Sequence, residues 1–225
     1  MSDPRAALVT GGTGRVGSAI AARLEADGFD VLAAGRREGD LSDPGAVQAL
    51  VDRAAEKLDG LDLVVQAAGE GFEPRPVADV GEEDWDRAFG ATAKGSFFLA
   101  QAAAPHLRAS DLGLLVLIED VAAYQPWPSF APHCAAKAAQ AMLTRVLARA
   151  LGPEIRVCGV APGSVAVEPE QEERRSAETV LGRVGTPDDV AEAVAYLVRA
   201  PFVTGHSIIV DGGRLLQRNP WKKPV

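Results

Sequence analysis

Short apolar runs alternate along the chain with longer segments whose apolar residues recur at helical spacing. The short runs predict strands at residues 6–10, 31–35, 61–67, 112–118, 155–160 and 207–210. The longer segments predict helices at residues 18–26, 43–58, 85–107, 130–151 and 187–199, with Asp43 and Thr186 as N-caps and Pro44 in a first turn. Strands that are apolar on both faces need helices on both sides, so the order predicts an α/β, Rossmann-like, doubly wound parallel sheet.

Length and composition fit one such domain over residues 1–225, because 225 residues with 47% hydrophobic content bury one large core. A formal charge of -8 argues against a nucleic-acid partner. No apolar run approaches the roughly 20 residues that cross a bilayer, and the N-terminus lacks a signal-peptide core, so we expect no membrane partner and a cytoplasmic location. Cys134 and Cys158 lack metal-ligand spacing, and no metal site is expected.

A glycine-rich turn follows the first predicted strand and opens the first predicted helix. It reads Thr10-Gly11-Gly12-Thr13-Gly14-Arg15-Val16-Gly17. Glycines let a backbone approach a pyrophosphate closely, and the N–H groups and positive dipole end of a helix favour phosphate charge. The turn therefore predicts a dinucleotide site.

Two irregular segments, residues 69–81 and 163–185, follow predicted strands. Both are expected at the carboxyl edge of the sheet, where open α/β folds bind ligands. The second is rich in Glu and Arg, which fits a substrate flap and a solvated charged loop equally well.

Several spaced motifs together resemble the short-chain dehydrogenase/reductase family over nearly the whole chain. They are the glycine turn, Asp40-Leu41, Ala67-Ala68-Gly69, Lys137, Ala161-Pro162-Gly163, Val203-Thr204-Gly205 and Val210-Asp211-Gly212-Gly213. The resemblance implies a small-molecule substrate and a nicotinamide cofactor bound by these residues, with Lys137 on the nicotinamide ribose.

Arg15 stands where most members of that family have glycine, a variation that looks like the pteridine and dihydromonapterin reductases. Arg15 and the pair Arg36-Arg37 would grip an adenosine 2′-phosphate by charge-assisted hydrogen bonds, so NADP is expected over NAD. The route from Arg37 to Asp40 is unusually brief. We therefore expect six to seven strands, with the third-strand region shortened or missing.

The family's catalytic residues are altered. The resemblance implies a Tyr-x-x-x-Lys pair, a serine and an asparagine, and this chain has His133 with Lys137, Asp120 and Thr92 in those places. A free imidazole has a pKa near ~6.5, against about 10 for a phenol, so histidine suits proton transfer at neutral pH. Its nitrogen reaches roughly 2 Å less far than a phenol oxygen, which calls for a bridging water or a bulkier substrate.

Two functions follow from these residues. One is an NADP-dependent oxidoreductase that moves hydride between nicotinamide and a carbonyl or imine substrate, conceivably pterin-like, with His133 and Asp120 as a proton relay. The other is a catalytically degenerate, NADP-binding sensor or interaction protein. Tyr124 is a less favoured replacement for the missing acid.

The resemblance also implies a homodimer or homotetramer. Candidate contact residues are Phe97, Phe98, Leu99, the alanine-rich segment 135–150 and Leu215-Leu216. The alternative is that these side chains bury only against their own sheet.

Overall fold

A computed structural model describes residues 4–69, 71 and 73–216. It contains six parallel strands in the order β2-β1-β3-β4-β5-β6. The strands are β1 (Arg5–Thr10), β2 (Phe29–Ala34), β3 (Leu63–Gln66), β4 (Leu114–Ile118), β5 (Arg156–Pro162) and β6 (Ser207–Val210). The fold prediction is confirmed, and the predicted strand ends are displaced by no more than two residues.

The described residues form seven α-helices. They are α1 (Arg15–Ala26), α2 (Pro44–Leu58), α3 (Glu82–Phe89), α4 (Gly95–Arg108), α5 (Ala131–Leu151), α6 (Pro169–Ala177) and α7 (Pro187–Arg199). Buried residues of α2, α4 and α5 form the core on one face, and those of α1 and α7 form it on the other. This is the doubly wound arrangement that the strand composition predicts.

The chain connects β2 to α2 through residues 35–43 alone. In the part of the chain that the structure describes, no further strand lies beyond β2 in the sheet. The expected shortening is thus complete, and β2 is an edge strand. Asp43 caps α2 by accepting a hydrogen bond from Gly45 N at 2.9 Å, as its sequence position predicts.

The single helix predicted over residues 85–107 is wrong. A turn of π-helix, Gly90–Lys94, separates α3 from α4. An added Cβ at Gly95 would lie 2.9 Å from Leu41 O, and one at Gly90 would lie 3.0 Å from Ser42 Cβ. The two glycines therefore allow the helices to lie directly on the segment that follows β2, and the π-turn accommodates that approach.

The segment predicted to be irregular, residues 163–185, contains the helix α6. Among the described residues, no helix has both the length and the apolar character needed to cross a membrane. Nor do the described histidine, cysteine, aspartate and glutamate side chains group in threes as a metal site requires.

The start of α7 carries a capping box. Thr186 Oγ1 accepts from Asp189 N at 3.2 Å, and Asp189 Oδ2 accepts from Thr186 N at 2.8 Å. Arg183 adds two hydrogen bonds to the same carboxylate, at 2.8 and 2.9 Å. Hydrogen bonds from Arg183 and Thr186 hold the pKa of Asp189 well below its ordinary value.

Because its folded-state pKa is depressed, Asp189 stabilises the fold above its unfolded pKa and loses that contribution as the pH falls. We expect Thr186→Ala to lower the free energy of unfolding by about 1 kcal/mol. We also expect Asp189→Asn to have a lower free energy of unfolding than wild type, as measured in urea, and we expect this difference to shrink below about pH 4. Asp188→Asn, an exposed neighbour in the same helical turn, is the control, and an equal effect there would contradict the capping role.

Candidate active site

The glycine turn packs directly against the end of β3. Gly11 has a φ of +69°, and an added Cβ there would lie 2.5 Å from Ala68 N. A Cβ at Gly17 would lie 2.2 Å from Gly11 O. Only glycine fits either position, so the backbone forms a tight cradle before α1, where the dipole of the helix N-terminus favours a phosphate.

A cavity of about 230 Å³ opens beside this turn. Its lining brings together residues from the turn, the end of β2, the segment before α2 and the end of β3. They are Thr10, Gly11, Thr13, Gly14, Gly35, Arg36, Gly39, Asp40, Leu41, Ala67, Ala68, Gly69 and Ala91. Most of the residues expected to hold a dinucleotide therefore share one cavity.

The three arginines expected at the 2′-phosphate are not gathered in one place. Arg36 lines the cavity and Arg37 is exposed. Arg15 forms an ion pair with Glu168 at 2.9 Å, and both side chains are exposed. Arg15 thereby joins the glycine turn to the start of α6, a partner 153 residues away that the sequence does not reveal.

Sequence reasoning missed Glu38 at this cavity. Its Oε2 accepts a hydrogen bond from Gly35 N at 2.8 Å. An added Cβ at Gly35 would lie 2.7 Å from Thr13 Oγ1 and 3.1 Å from Glu38 Oε2, so the carboxylate lies close to the turn. The one indication of this contact in the sequence is that Glu38 follows Arg36 by two residues, just after the end of β2.

Asp40 and Leu41 form the wall that follows β2. Ser42 N and Ser42 Oγ donate to Asp40 Oδ1 at 2.9 and 2.8 Å, and these hydrogen bonds lower the pKa of Asp40, with a smaller contribution from the charge of Arg36. Leu41 is buried and offers an apolar surface.

Pro162, Gly163 and Val16 lie near this cavity without lining it. Pro162 ends β5, and Gly163 N donates to Val210 O at 2.9 Å, so this strand end packs on β6. A Cβ at Gly163 would lie 2.8 Å from Asp211 Cβ. Val16 is half-buried and packs against the core beneath α1.

The residues expected to move protons do meet. His133 lies in the first turn of α5 and Asp120 follows β4, and His133 Nε2 is 3.3 Å from Asp120 Oδ2. Asp120 Oδ1 accepts from Ala122 N at 2.7 Å, which fixes the orientation of the carboxylate. The second oxygen therefore faces the imidazole and can orient it.

Lys137 lies one helical turn after His133, and it is buried. Its Nζ donates to Ile118 O and to Gln140 Oε1, each at 2.9 Å. Burial lowers the pKa of the ammonium, while the charges of Asp120 and Glu119 oppose that shift.

A buried polar network extends from Lys137 to the π-turn. Gln140 Nε2 donates to Ser96 Oγ at 3.0 Å. The single hydroxyl proton of Ser96 has two acceptors within reach, Thr92 O at 2.7 Å and Gln66 Oε1. Gln66 Nε2 donates to Ala91 O at 2.8 Å. Thr92, at the position where an asparagine was expected, thus enters the network through its backbone carbonyl.

Tyr124, the alternative proton donor, is directed elsewhere. Its hydroxyl donates to Glu119 Oε2 at 3.0 Å, and burial is the main cause of the raised pKa of this phenol. Thr144 and Ser207 hydroxyls donate to Glu119 Oε1 at 2.7 and 2.9 Å. The buried carboxylate of Glu119, which follows β4, therefore accepts hydrogen bonds from α5 and β6. It also accepts the hydrogen bond that keeps the Tyr124 hydroxyl directed away from His133.

Two further side chains lie at the imidazole. The ring of Trp127 is nearly parallel to that of His133, at 11° and 6.4 Å between centroids. Arg214, which follows β6, places its Cζ 4.9 Å from the centroid of the Trp127 ring. Sequence reasoning found neither residue, because Arg214 is brought here only by the fold of the C-terminal segment.

Comparison with known proteins places this geometry in a family. Residues 17–214 match the family model described as enoyl-(acyl carrier protein) reductase. A granaticin polyketide synthase putative ketoacyl reductase 2 from Streptomyces violaceoruber is 34% identical, covering 92% of this chain and 94% of the relative. A 4-formylbenzenesulfonate dehydrogenase from Comamonas testosteroni is 33% identical, with coverages of 92% and 96%.

A third relative is named as inactive. It is the inactive 2-(S)-hydroxypropyl-CoM dehydrogenase 2 of Xanthobacter autotrophicus, 37% identical over 77% of this chain and 82% of its own length.

Solved structures show the same fold with bound cofactors. A small-chain dehydrogenase in complex with NADPH has a TM-score of 0.86 at 27% identity, covering 95% of this chain and all of the other. A 7α-hydroxysteroid dehydrogenase complexed with NADH and 7-oxo glycochenodeoxycholic acid has a TM-score of 0.85 at 29% identity, with 94% coverage of both. The family match, the relatives and the shared architecture lead to one conclusion: the chain belongs to the short-chain dehydrogenase/reductase family of oxidoreductases.

Proposed function

We propose that this protein is an NADP-dependent oxidoreductase that reduces a carbonyl or imine group, or oxidises the corresponding alcohol or amine, with His133 as the proton-transfer group. The observation that carries the proposal is the contact of His133 Nε2 with Asp120 Oδ2, one helical turn from the buried Lys137. A carboxylate that orients an imidazole is a common arrangement for proton transfer near neutral pH.

The cavity beside the glycine turn fits a dinucleotide. A Cβ at Gly11 or Gly17 would fill the cradle where the turn approaches its neighbours, and Leu41 offers an apolar wall suited to an adenine. Arg36 lines the same cavity, and because a guanidinium pairs well with a phosphate, its presence favours NADP. Among the similar solved structures, one is a complex with NADPH and another a complex with NADH. Glu38, which is close to the glycine turn, is the residue that would favour NAD, because a carboxylate binds the free ribose hydroxyls of that cofactor.

The nicotinamide, when bound, supplies or accepts the hydride. The protein's part is the proton: His133 gives it to the substrate oxygen or nitrogen during reduction and takes it back during oxidation. Asp120 holds the imidazole and stabilises its protonated form, and the ammonium of Lys137 binds the nicotinamide ribose. Since an imidazole reaches less far than a phenol, one water between His133 and the substrate completes the path.

The test is oxidation of NADPH by purified protein with a panel of aldehydes, ketones, cyclic imines and pterins. A pterin belongs in the panel because Arg15 resembles the pteridine reductase variation, and an anionic aromatic aldehyde belongs there because one relative is named for 4-formylbenzenesulfonate. We expect turnover above a Lys137→Ala control, and tighter binding of NADP than of NAD in parallel titrations. Turnover no faster than in that control would reject the proposal.

A second candidate function is a nucleotide-binding sensor without turnover. It is favoured by the replacement of the expected tyrosine, serine and asparagine together, and by the 37% identical relative that is named as inactive. In that case the cavity binds NADP and the His133–Asp120 pair has only a structural role. The histidine variants described in the Discussion separate the two functions.

Assembly into a homodimer or homotetramer belongs to the same proposal. Phe97 is 43% exposed and Leu216 is 78% exposed, so both are available for a contact. Leu99 is fully buried in its own core, contrary to its expected place in an interface. On α5 the exposed apolar residues are Met142 and Val146 together with the alanines Ala138 and Ala150.

A further inference from the structure

Arg214 is a largely buried cation beside the proposed proton donor. Its side chain is 11% exposed. Nη1 donates to Ser164 Oγ at 3.1 Å, and Nη2 lies 2.9 Å from Glu178 Oε2. A guanidinium carries five N–H donors in a fixed plane, so these two contacts leave it able to bind a further acceptor.

Glu178 is shared by several arginines. Glu178 forms ion pairs with Arg174, Arg175 and Arg214, at 3.6, 3.0 and 2.9 Å. Three guanidinium groups thus converge on one carboxylate at the end of α6.

The two other carboxylates near Arg214 are engaged elsewhere. Asp120 faces His133, and Asp211 accepts from Gly213 N at 2.7 Å and Leu215 N at 2.8 Å. Burial lowers the pKa of the Arg214 guanidinium, and the charges of Glu178, Asp120 and Asp211 oppose that shift. Arg214 therefore stays cationic at neutral pH, with Glu178 as the one carboxylate within ion-pair distance among the described residues.

Trp127 relates this cation to the reaction centre. The guanidinium lies against its ring, and the same ring is nearly parallel to the imidazole of His133. Trp127 therefore contacts both groups, which puts the cation in the neighbourhood of the proposed reacting group.

We infer that Arg214 binds an anionic group of the substrate, so that the enzyme acts on carbonyl compounds or alcohols that carry a carboxylate or sulfonate. The inference rests on the proposed function for the position of the reacting group. A planar anion would meet the guanidinium edge in a charge-assisted hydrogen bond, in a partly buried site where water competes weakly.

Binding of simple probes tests the inference without turnover. Calorimetric titration of the NADP-loaded protein with benzoate and with neutral benzamide is expected to show preference for benzoate. Arg214→Gln is expected to weaken benzoate binding by about 10- to 100-fold and to leave benzamide unchanged. Arg214→Lys keeps the charge and is expected to retain part of the preference. Arg199→Gln, at an exposed arginine paired with Asp27 instead of Glu178, is the matched control.

Equal losses for benzoate and benzamide in Arg214→Gln would assign the side chain a structural role and overturn the inference, as would a wild type that does not bind benzoate at millimolar concentration. Thermal unfolding of each variant verifies that it is folded.

Turnover separates this inference from the proposed function. The pair to compare is 4-formylbenzoate and its methyl ester, with NADPH. Arg214-dependent benzoate binding without turnover of either aldehyde would support the anion site while the proposed function fails. Equal turnover of both aldehydes, with equal effects of Arg214→Gln, would support the function and reject the anion site.

Discussion

His133→Gln is expected to lower kcat for carbonyl reduction by about 10²- to 10⁴-fold, the usual loss when a general acid or base is removed. Glutamine keeps a hydrogen-bonding side chain near Asp120 and cannot carry the proton, so folding and cofactor affinity are expected to stay close to wild type. The measurement is kcat and KM by NADPH oxidation in the wild type and the variant, with the dissociation constant for NADP measured alongside.

His206→Gln is the matched control, because His206 is exposed and distant from Asp120 in the sequence. An unchanged kcat in His133→Gln would show that another group moves the proton. His133→Tyr then decides between the two functions. Loss of activity in an active parent makes histidine the working acid, and gain of activity in an inert parent supports the sensor.

Gly11→Ala is expected to abolish detectable binding of the dinucleotide and to destabilise the fold. A left-handed backbone costs a non-glycine residue roughly 1–2 kcal/mol, and the added Cβ would also lie 2.5 Å from Ala68 N, so the turn must move away from β3. The measurements are the dissociation constant for NADP by calorimetry and the free energy of unfolding in urea.

Gly71→Ala is the control for Gly11→Ala. A Cβ at Gly71 meets no atom within 4 Å, and the residue has no left-handed φ. The NADP dissociation constant and the free energy of unfolding of this variant are therefore expected to remain near those of the wild type. Wild-type affinity for NADP in Gly11→Ala would show that the coenzyme does not depend on this cradle.

The sequence predicts those features that depend on neighbours in the chain. The caps Asp43 and Thr186, the alternation of strands with helices and the spacing of His133 and Lys137 on one helix face are local patterns, and the structure contains each of them. The π-turn before α4 was missed because it depends on the contact of Gly95 with Leu41, which is a property of packing.

The arginines show why the site was only partly predictable. Arg36 reaches the cavity because it directly follows the end of β2, which the apolar pattern locates. Arg15 pairs with Glu168, and Arg214 reaches Trp127, across 153 and 87 residues respectively. Such contacts depend on how distant loops meet at the carboxyl edge, and no periodicity in the sequence encodes them.

The direct passage from β2 to α2 leaves one row of β2 backbone N–H and C=O groups without a neighbouring strand among the described residues. Such a border is a template for self-association between chains. Asp30 projects a charge from the strand, and Arg36, Arg37 and Glu38 are charged residues just beyond its end. The repulsion and hydration of these charged side chains oppose the pairing of β2 with the same strand of another molecule. Substitutions that remove the charges are therefore expected to lower the solubility at high protein concentration and to change the free energy of unfolding less.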